Sequence, residues 1–452
     1  LPVIADVVIA DAPQFDLQLN DHHRTNRQRT LTFRCACEPT VTNATLPSNV
    51  PMAPTSPHEA GSATTPRKHK KGMIFAKGDR RLNRGGHMSL RVIQFSTGNV
   101  GRHALRSIIQ RADLDLVGVH ASSPDKIGRD AADLCGLTEP VGVLATDDID
   151  ALVALGADCV VYTSQAETRP DAALTEITAF LAAGTNVVGT SLVWLVYPPH
   201  ADAWLRKPLE EACAAGGTTM YVNGIDPGFS GDLLPLAALS LTERADGILV
   251  QEICDYGSYD DAEFTGVSFG FGTTPDVVPM LFLPGVLASI WGGPVQLLAD
   301  ELGVELDEMR EHHETWLATE TIDCTMMTVA PGEVAAVRFA VEGIVKGRPA
   351  IVMEHVNRLT AAAAPDWPKP PGGRPGVHRV VVNGSPGIEI NTHVGNDHTD
   401  HNEAGVIATA AKAVNAISAV CAAPPGLVSL RDLPVSQVRG LMPGNELTCP
   451  TE

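Results

Sequence analysis

The sequence has no surplus of basic residues: 33 lysines and arginines stand against 53 aspartates and glutamates, a formal charge of −20. That balance excludes general nucleic-acid binding, because gripping a phosphate backbone requires Lys and Arg in excess on one face. Nor is there an apolar run of the roughly 18–20 residues needed to cross a bilayer. The start of the chain lacks the basic-then-apolar layout of a secretory signal, so neither membrane insertion nor export is expected. Nine cysteines include no CxxC pair and hence no zinc or redox motif. Apart from Cys35 and Cys37 they are scattered singly, as suits a reducing cytoplasm. What is present is an ordinary globular share of apolar residues, 44% of 452 positions, enough for two or three domains.

The chain changes character along its length. Residues 1–87 are rich in Pro, Thr, Arg, His and Asn without sustained periodicity, and are expected to be a disordered extension. The basic cluster Arg67 to Lys71 within it reads as a solvated tail rather than a nucleic-acid arm. Met88 leads straight into an apolar run, so it is expected to be the natural start, a reading that N-terminal sequencing of the native protein would test.

Over 88–242, β-branched runs at 91–96, 114–121, 142–145, 158–163, 186–190 and 219–223 alternate with helical stretches at 104–111, 147–155, 171–183 and 201–215. This rhythm predicts an α/β fold, a Rossmann-type doubly wound parallel sheet. Over 243–400, longer runs at 247–253, 335–344, 350–358 and 378–383 predict a second α+β domain with a mainly antiparallel sheet. It is interrupted by a segment of helical composition at 275–319 and a Pro/Gly-rich loop at 365–375. A helix at 402–422, within 401–442, is expected to return to the first domain, and 443–452 to be a tail.

Ser96-Thr97-Gly98-Asn99-Val100-Gly101 fits the dinucleotide fingerprint G-x-G-x-x-G with serine replacing the first glycine, and it stands between a strand and a helix as that fingerprint requires. Gly98 lets backbone approach a pyrophosphate, Gly101 lets the helix pack on the strand, and Arg102 adds a charge. The second strand ends in Ser122, Ser123 and Lys126 with no carboxylate immediately there, which favours NADP; Asp125 lies close enough to keep NAD compatible. Thr163, Ser164, Gly189, Thr190 and Asn223 follow later strands, where a nicotinamide ribose and ring would pass. Each of these segments also has an ordinary turn reading.

Together with Gly128-Arg129-Asp130-Ala131, Tyr197-Pro198, the segment 223–229 and the Ala-rich 411–426, these residues resemble the dihydrodipicolinate reductase-like NAD(P)-dependent dehydrogenases. Within them the likeness is to the branch of 2,4-diaminopentanoate dehydrogenase and NAD(P)H-dependent amine dehydrogenases, over 90–441. The resemblance implies hydride transfer between nicotinamide and an imine, amine or carbonyl carbon, ammonia as a co-substrate, and a homodimer whose second domain closes over a small-molecule substrate. One departure matters. Amine dehydrogenases of that branch carry an acid just before the Tyr-Pro pair, whereas here Val193, Trp194 and Tyr197 line an apolar pocket. Burying an ammonium or iminium without a partner is costly, so either the carboxylate comes from elsewhere, such as Glu252 or Asp255, or the substrate is larger and less polar. Dinucleotide binding without turnover is the alternative.

Alternation places Glu252 and Tyr256 on one face of a strand, where they suit proton transfer, although solvated acids on an edge strand would look the same. His200, after Tyr197-Pro198-Pro199, is a further acid–base candidate. His312-His313-Glu314 reads as a solvated helix face. The loop from His393 to His401 is dense in ligand types but matches no metal spacing, so no metal is expected; a polar substrate loop or a helix cap, with Asn402 as an N-cap, is the reading preferred.

Overall fold

The computed structural model describes residues 15–18, 32–35, 89–396 and 399–441. Within 1–78, a unit of its own, Phe15–Gln18 pairs antiparallel with Thr32–Cys35, a local pairing that no periodicity announces. The rest of the expected disordered extension, the basic cluster, Met88 and the tail at 443–452 lie outside the described residues.

The parallel sheet is built from strands that are apolar on both faces. β1 (Leu90–Phe95) has four consecutive buried residues and β4 (Cys159–Tyr162) is buried throughout, as a sheet covered by helices on both sides demands. Between and beyond them lie β2 (Leu114–His120), β3 (Ala145–Thr146), β5 (Asn186–Gly189) and β6 (Thr219–Val222), giving the order β6-β5-β4-β1-β2-β3. The chain reverses direction across the sheet between β1 and β4, the switch point beyond whose carboxyl ends ligands bind in such folds. The intervening helices are α1 (Asn99–Gln110), α2 (Ala131–Leu134), α3 (Ile149–Ala154), α4 (Pro170–Ala182) and α5 (Ala203–Gly216), followed by α6 (Leu233–Leu239).

The second sheet contains β7 (Arg244–Asp255), β8 (Glu308–Leu317), β9 (Val334–Val345), β10 (Arg348–Arg358), β11 (Gly376–Ser385) and β12 (Ile388–Thr392), in the order β8-β9-β10-β7-β11-β12. The sheet is mainly antiparallel, as expected, and β7 runs parallel to β10. β7 enters first and occupies the interior of the sheet, and the later strands β10 and β11 flank it from opposite sides. α7 (Ala262–Phe269) and α8 (Val286–Leu302) fall in the long connection. The helical reading of 275–319 holds for α8 but not for β8, so His312, His313 and Glu314 alternate along an edge strand rather than share a helix face. Ten residues of ladder with β9 override a composition poor in strand formers, and His313 stacks on Phe282 at 4.3 Å.

α9 (His401–Ala422) packs on the parallel sheet. Ala410, Ala413, Val414, Ile417 and Val420 pack on Val92, Ala104, Ile108, Val161 and Tyr221, the small alanines allowing close approach. It is long and apolar enough to cross a bilayer by composition, but here that apolar face covers the sheet. Its N-cap is Asp400, which accepts from the Asn402 and Glu403 N–H groups, so Asn402 is capped rather than capping. After it, β13 (Gly426–Val428) adds a seventh parallel strand beside β6, too short to be read from sequence.

One face of the second sheet packs under α8: Ile248, Val250, Phe339, Val341, Ile351, Met353 and Val380 meet Leu287, Trp291, Val295 and Leu298. The register His355↔Glu252↔His378 lays a polar row across three adjacent strands of that apolar face.

Candidate active site

The turn after β1 holds its backbone against local preference. Ser96 has φ +77°, rare for a non-glycine residue. Buried Gln94 braces it, with Nε2 donating to Ser96 O at 2.8 Å and to Thr163 Oγ1 at 2.8 Å. At Gly101 a Cβ would stand 2.3 Å from Ser96 O. α1 begins behind Gly98 with no side-chain cap and no acid in its first turn, whereas Asp148, Asp261 and Asp400 cap α3, α7 and α9. Free N–H groups and the positive helix end suit an anion, and the Thr97 hydroxyl beside them is buried without a partner. These features fit a dinucleotide pyrophosphate.

Around the turn, the expected contacts divide. Lys126 Nζ donates to Thr97 O at 3.1 Å, tying the end of β2 to the turn, with Ser122 and Ser123 just before it. Arg102 is paired with Glu403 of α9 at 2.8 Å. The Thr163 hydroxyl donates to Phe95 O at 2.9 Å, Ser164 Oγ accepts from Arg169 Nη2 at 2.7 Å, and Asn223 Nδ2 donates to Asp232 Oδ2 at 2.6 Å. Those three side chains brace the strand ends. Gly189 ends β5 between them, and Thr190 N donates to Tyr162 O at 3.1 Å.

Asp226, in the loop after β6, links the two sheets. Its Oδ1 accepts from Trp291 Nε1 at 2.7 Å and pairs with His355 Nε2 at 3.0 Å; its Oδ2 accepts from Ser230 Oγ at 2.6 Å. Burial pushes the Asp226 carboxyl up, but the His355 imidazolium more than offsets this and holds it well below its ordinary value. Burial likewise pushes His355 down, and Asp226 reverses this to leave it raised above 6.5. Both directions describe a buried ion pair.

Glu252 lies beside that pair, the polar atoms of Asp226, Glu252 and His355 falling within 4.8 Å of one another. Glu252 Oε1 accepts from Asn357 Nδ2 at 2.9 Å and from the Tyr256 hydroxyl at 3.3 Å. The phenol of Tyr256 is pushed well above its ordinary value by burial and then by Glu252, so it stays protonated. Glu252 Oε2 faces His378 Nδ1 across 4.0 Å, too far for a hydrogen bond. Next to this row, at the carboxyl end of β7, a cavity of about 600 Å³ is lined by Asp255, Ser258, Arg374, His393 and His401 among others.

The structure thus brings Glu252 and Tyr256 together. His200 sits elsewhere, its ring 2.8 Å from the Cβ position of Gly292 on α8 and close to Met309 on β8, with burial pushing its pKa down. The Tyr197 hydroxyl donates to Asp300 and accepts from Arg431 Nη1 at 3.1 Å. Trp194 Nε1 donates to Ser289 Oγ at 3.3 Å. Val193 follows Leu192 in a short turn whose N–H groups reach Glu167 Oε1 at 2.8 and 3.4 Å, so a carboxylate does stand behind the apolar pair, taken up by backbone. In the histidine-rich loop, His393 Nδ1 meets Gly376 O at 2.8 Å and His401 Nε2 meets Asp255 O at 2.5 Å, while Asp397 and His398 lie outside the described residues.

Sequence reasoning missed Asp226, His355, Asn357 and His378. The available signal was His355 and Asn357 two residues apart at the polar end of a strand, which puts both on one face. Their partners depend on register between distant strands, which no local pattern carries.

Residues 290–444 match the 2,4-diaminopentanoate dehydrogenase C-terminal domain. An amine dehydrogenase from Streptomyces virginiae is 40% identical over 350 residues, covering 77% of this chain and 97% of that protein. A 2,4-diaminopentanoate dehydrogenase from Acetoanaerobium sticklandii is 25% identical over 356 residues, 76% of this chain and 94% of that one. The solved amine dehydrogenase from Mycobacterium smegmatis shares the fold with a TM-score of 0.65 at 19% identity, over 78% of this chain and 98% of its own. The chain belongs to the amine dehydrogenase and 2,4-diaminopentanoate dehydrogenase branch of the dihydrodipicolinate reductase-like NAD(P)-dependent dehydrogenases.

Proposed function

We propose that the protein catalyses reductive amination and its reverse: a carbonyl compound, ammonia, NADPH and a proton give an amine, NADP+ and water. The observation that carries the reading is the uncapped, glycine-dependent turn of α1 accompanied by a buried carboxylate–imidazole cluster in a member of this family. A bound nicotinamide supplies the hydride, and the protein supplies orientation and a proton path. Ser96 to Gly101 would hold the pyrophosphate. Ser122, Ser123 and Lys126, with no carboxylate at the strand end to repel a 2′-phosphate, favour NADP over NAD. Glu252 and Tyr256 are the acid–base pair that fits best, since they share a hydrogen bond, whereas His200 packs on α8. Val193 and Trp194 favour an apolar substrate body. Assembly as a homodimer in the cytoplasm completes the reading; free Cys135, Cys159, Cys213, Cys254, Cys324 and Cys421 are in keeping with a reducing compartment.

The test is loss of NADPH absorbance with a panel of aldehydes and ketones, with and without ammonium. Ammonium-dependent oxidation with at least one carbonyl is expected. Tight NADPH binding with no turnover across the panel would reduce the protein to a dinucleotide binder and sink the proposal.

A further inference from the structure

We propose that Glu252, His378 and Asn357 form a binding site for a small nitrogen cation, ammonium or the protonated nitrogen of a primary amine, built on the second sheet to replace the acid missing at Val193. The inference rests on the amine reading above and gives it a location.

Two buried side-chain atoms on the neighbours of Glu252 lack partners among the described residues. Glu252 itself bonds through Oε1, and its Oε2 lies 4.0 Å from His378 Nδ1. His378 is 4% exposed, and its Nδ1 is buried with no partner of its own. Asn357 is fully buried, and its Oδ1 is also without a partner. Its amide orientation is fixed by chemistry, because Nδ2 must face the Glu252 carboxylate and the oxygen is therefore the spare atom. Buried polar groups in native proteins are almost always satisfied, so the ligand that completes this site must be rich in donors.

Asp226 is already paired with His355, so a donor-rich monocation would be shared by Glu252, His378 and Asn357 alone. Its size follows from the gap: a nitrogen about 2.9 Å from both Glu252 Oε2 and His378 Nδ1, an ordinary hydrogen-bond length, spans 4.0 Å at close to a right angle. A zinc ion, with arms of about 2.1 Å, would have its two ligands forced to an angle of about 145°, wide of a tetrahedral arrangement. The 4.0 Å spacing therefore suits a nitrogen cation better than a metal.

The experiment uses the full chain with NADPH, a carbonyl that the wild type turns over, and ammonium chloride, comparing His378→Phe and Asn357→Leu. NADPH titration of each variant establishes that it has folded. The KM for ammonium should rise about ten- to hundredfold in each variant, the loss of a hydrogen bond to a charged group, while the carbonyl KM and the NADPH affinity stay near wild type. An unchanged ammonium KM in variants that still aminate would overturn the site and leave the amine reading standing. If the wild type aminates nothing, that reading falls, and thermal unfolding decides the site alone. A rise in Tm when ammonium chloride replaces sodium chloride, lost in both variants, supports it. No rise, or one given by zinc chloride instead, overturns it.

Discussion

Replacing Asp226 by Asn keeps the shape of the side chain and removes its charge. The remaining oxygen can still accept from Trp291 and His355, and the new amide can donate to Ser230, so the substitution isolates the ion pair. Stranding a buried charge costs about 3–5 kcal/mol. His355 escapes part of that by giving up its proton, which leaves about 1.5–3 kcal/mol, the range for hydrogen bonds to charged groups. The loss depends on pH. The lowered carboxyl of Asp226 contributes stability above 3.8 that disappears as pH falls through its native value. The raised imidazole of His355 contributes stability below 6.5 that disappears as pH rises through its native value. The pair is therefore fully effective between 3.8 and 6.5. Thermal unfolding of wild type and Asp226→Asn at about pH 5.5 and about pH 9 should show a Tm loss of several degrees at the lower pH, at about 2–4 °C per kcal/mol for domains of ordinary size, and a smaller loss at the higher. Equal losses at both would refute the ion pair, and so would a larger loss in alkali.

Gly101→Ala places a methyl 2.3 Å from Ser96 O and 2.8 Å from Thr163 Oγ1; displacing that turn costs about 1–3 kcal/mol, seen as NADPH affinity weakened roughly five- to hundredfold by fluorescence titration. Lys126→Ala should weaken NADPH severalfold and NADH less, with the difference shrinking in high salt; equal effects on both cofactors would remove Lys126 from 2′-phosphate recognition. Asp400→Ala removes the cap of α9 at a cost of about 1 kcal/mol and should speed amide hydrogen exchange at Asn402 and Glu403, leaving the middle of the helix protected.

Much of the first half was legible because a buried parallel strand leaves a local trace. The β-branched pair Val92-Ile93 and the glycines at 98 and 101 announce strand, turn and helix within one short window, and the apolar run around Val160 marks a further strand. The second half was less so. β8 is an edge strand whose charged residues carry no strand signal, and its identity comes from pairing with β9. The site divides along the same line. Glu252 and Tyr256 lie four residues apart and could be linked by alternation, but Asp226, His355 and His378 meet them only through the packing of a loop and two strands more than a hundred residues further along the chain. The side chains of Thr163, Ser164 and Asn223 were placed at the right strand ends, yet their hydroxyl and amide groups go to bracing, a division of labour that spacing cannot reveal.

The most direct measurement of the central claim uses NADPH deuterated at the nicotinamide C4 position, with a ketone and ammonium, and mass spectrometry of the product. An amine carrying one deuterium on the former carbonyl carbon, formed only when ammonium is present, is the expected product. Deuterated alcohol formed irrespective of ammonium, or bound NADPH that stays unoxidised, would contradict the claim.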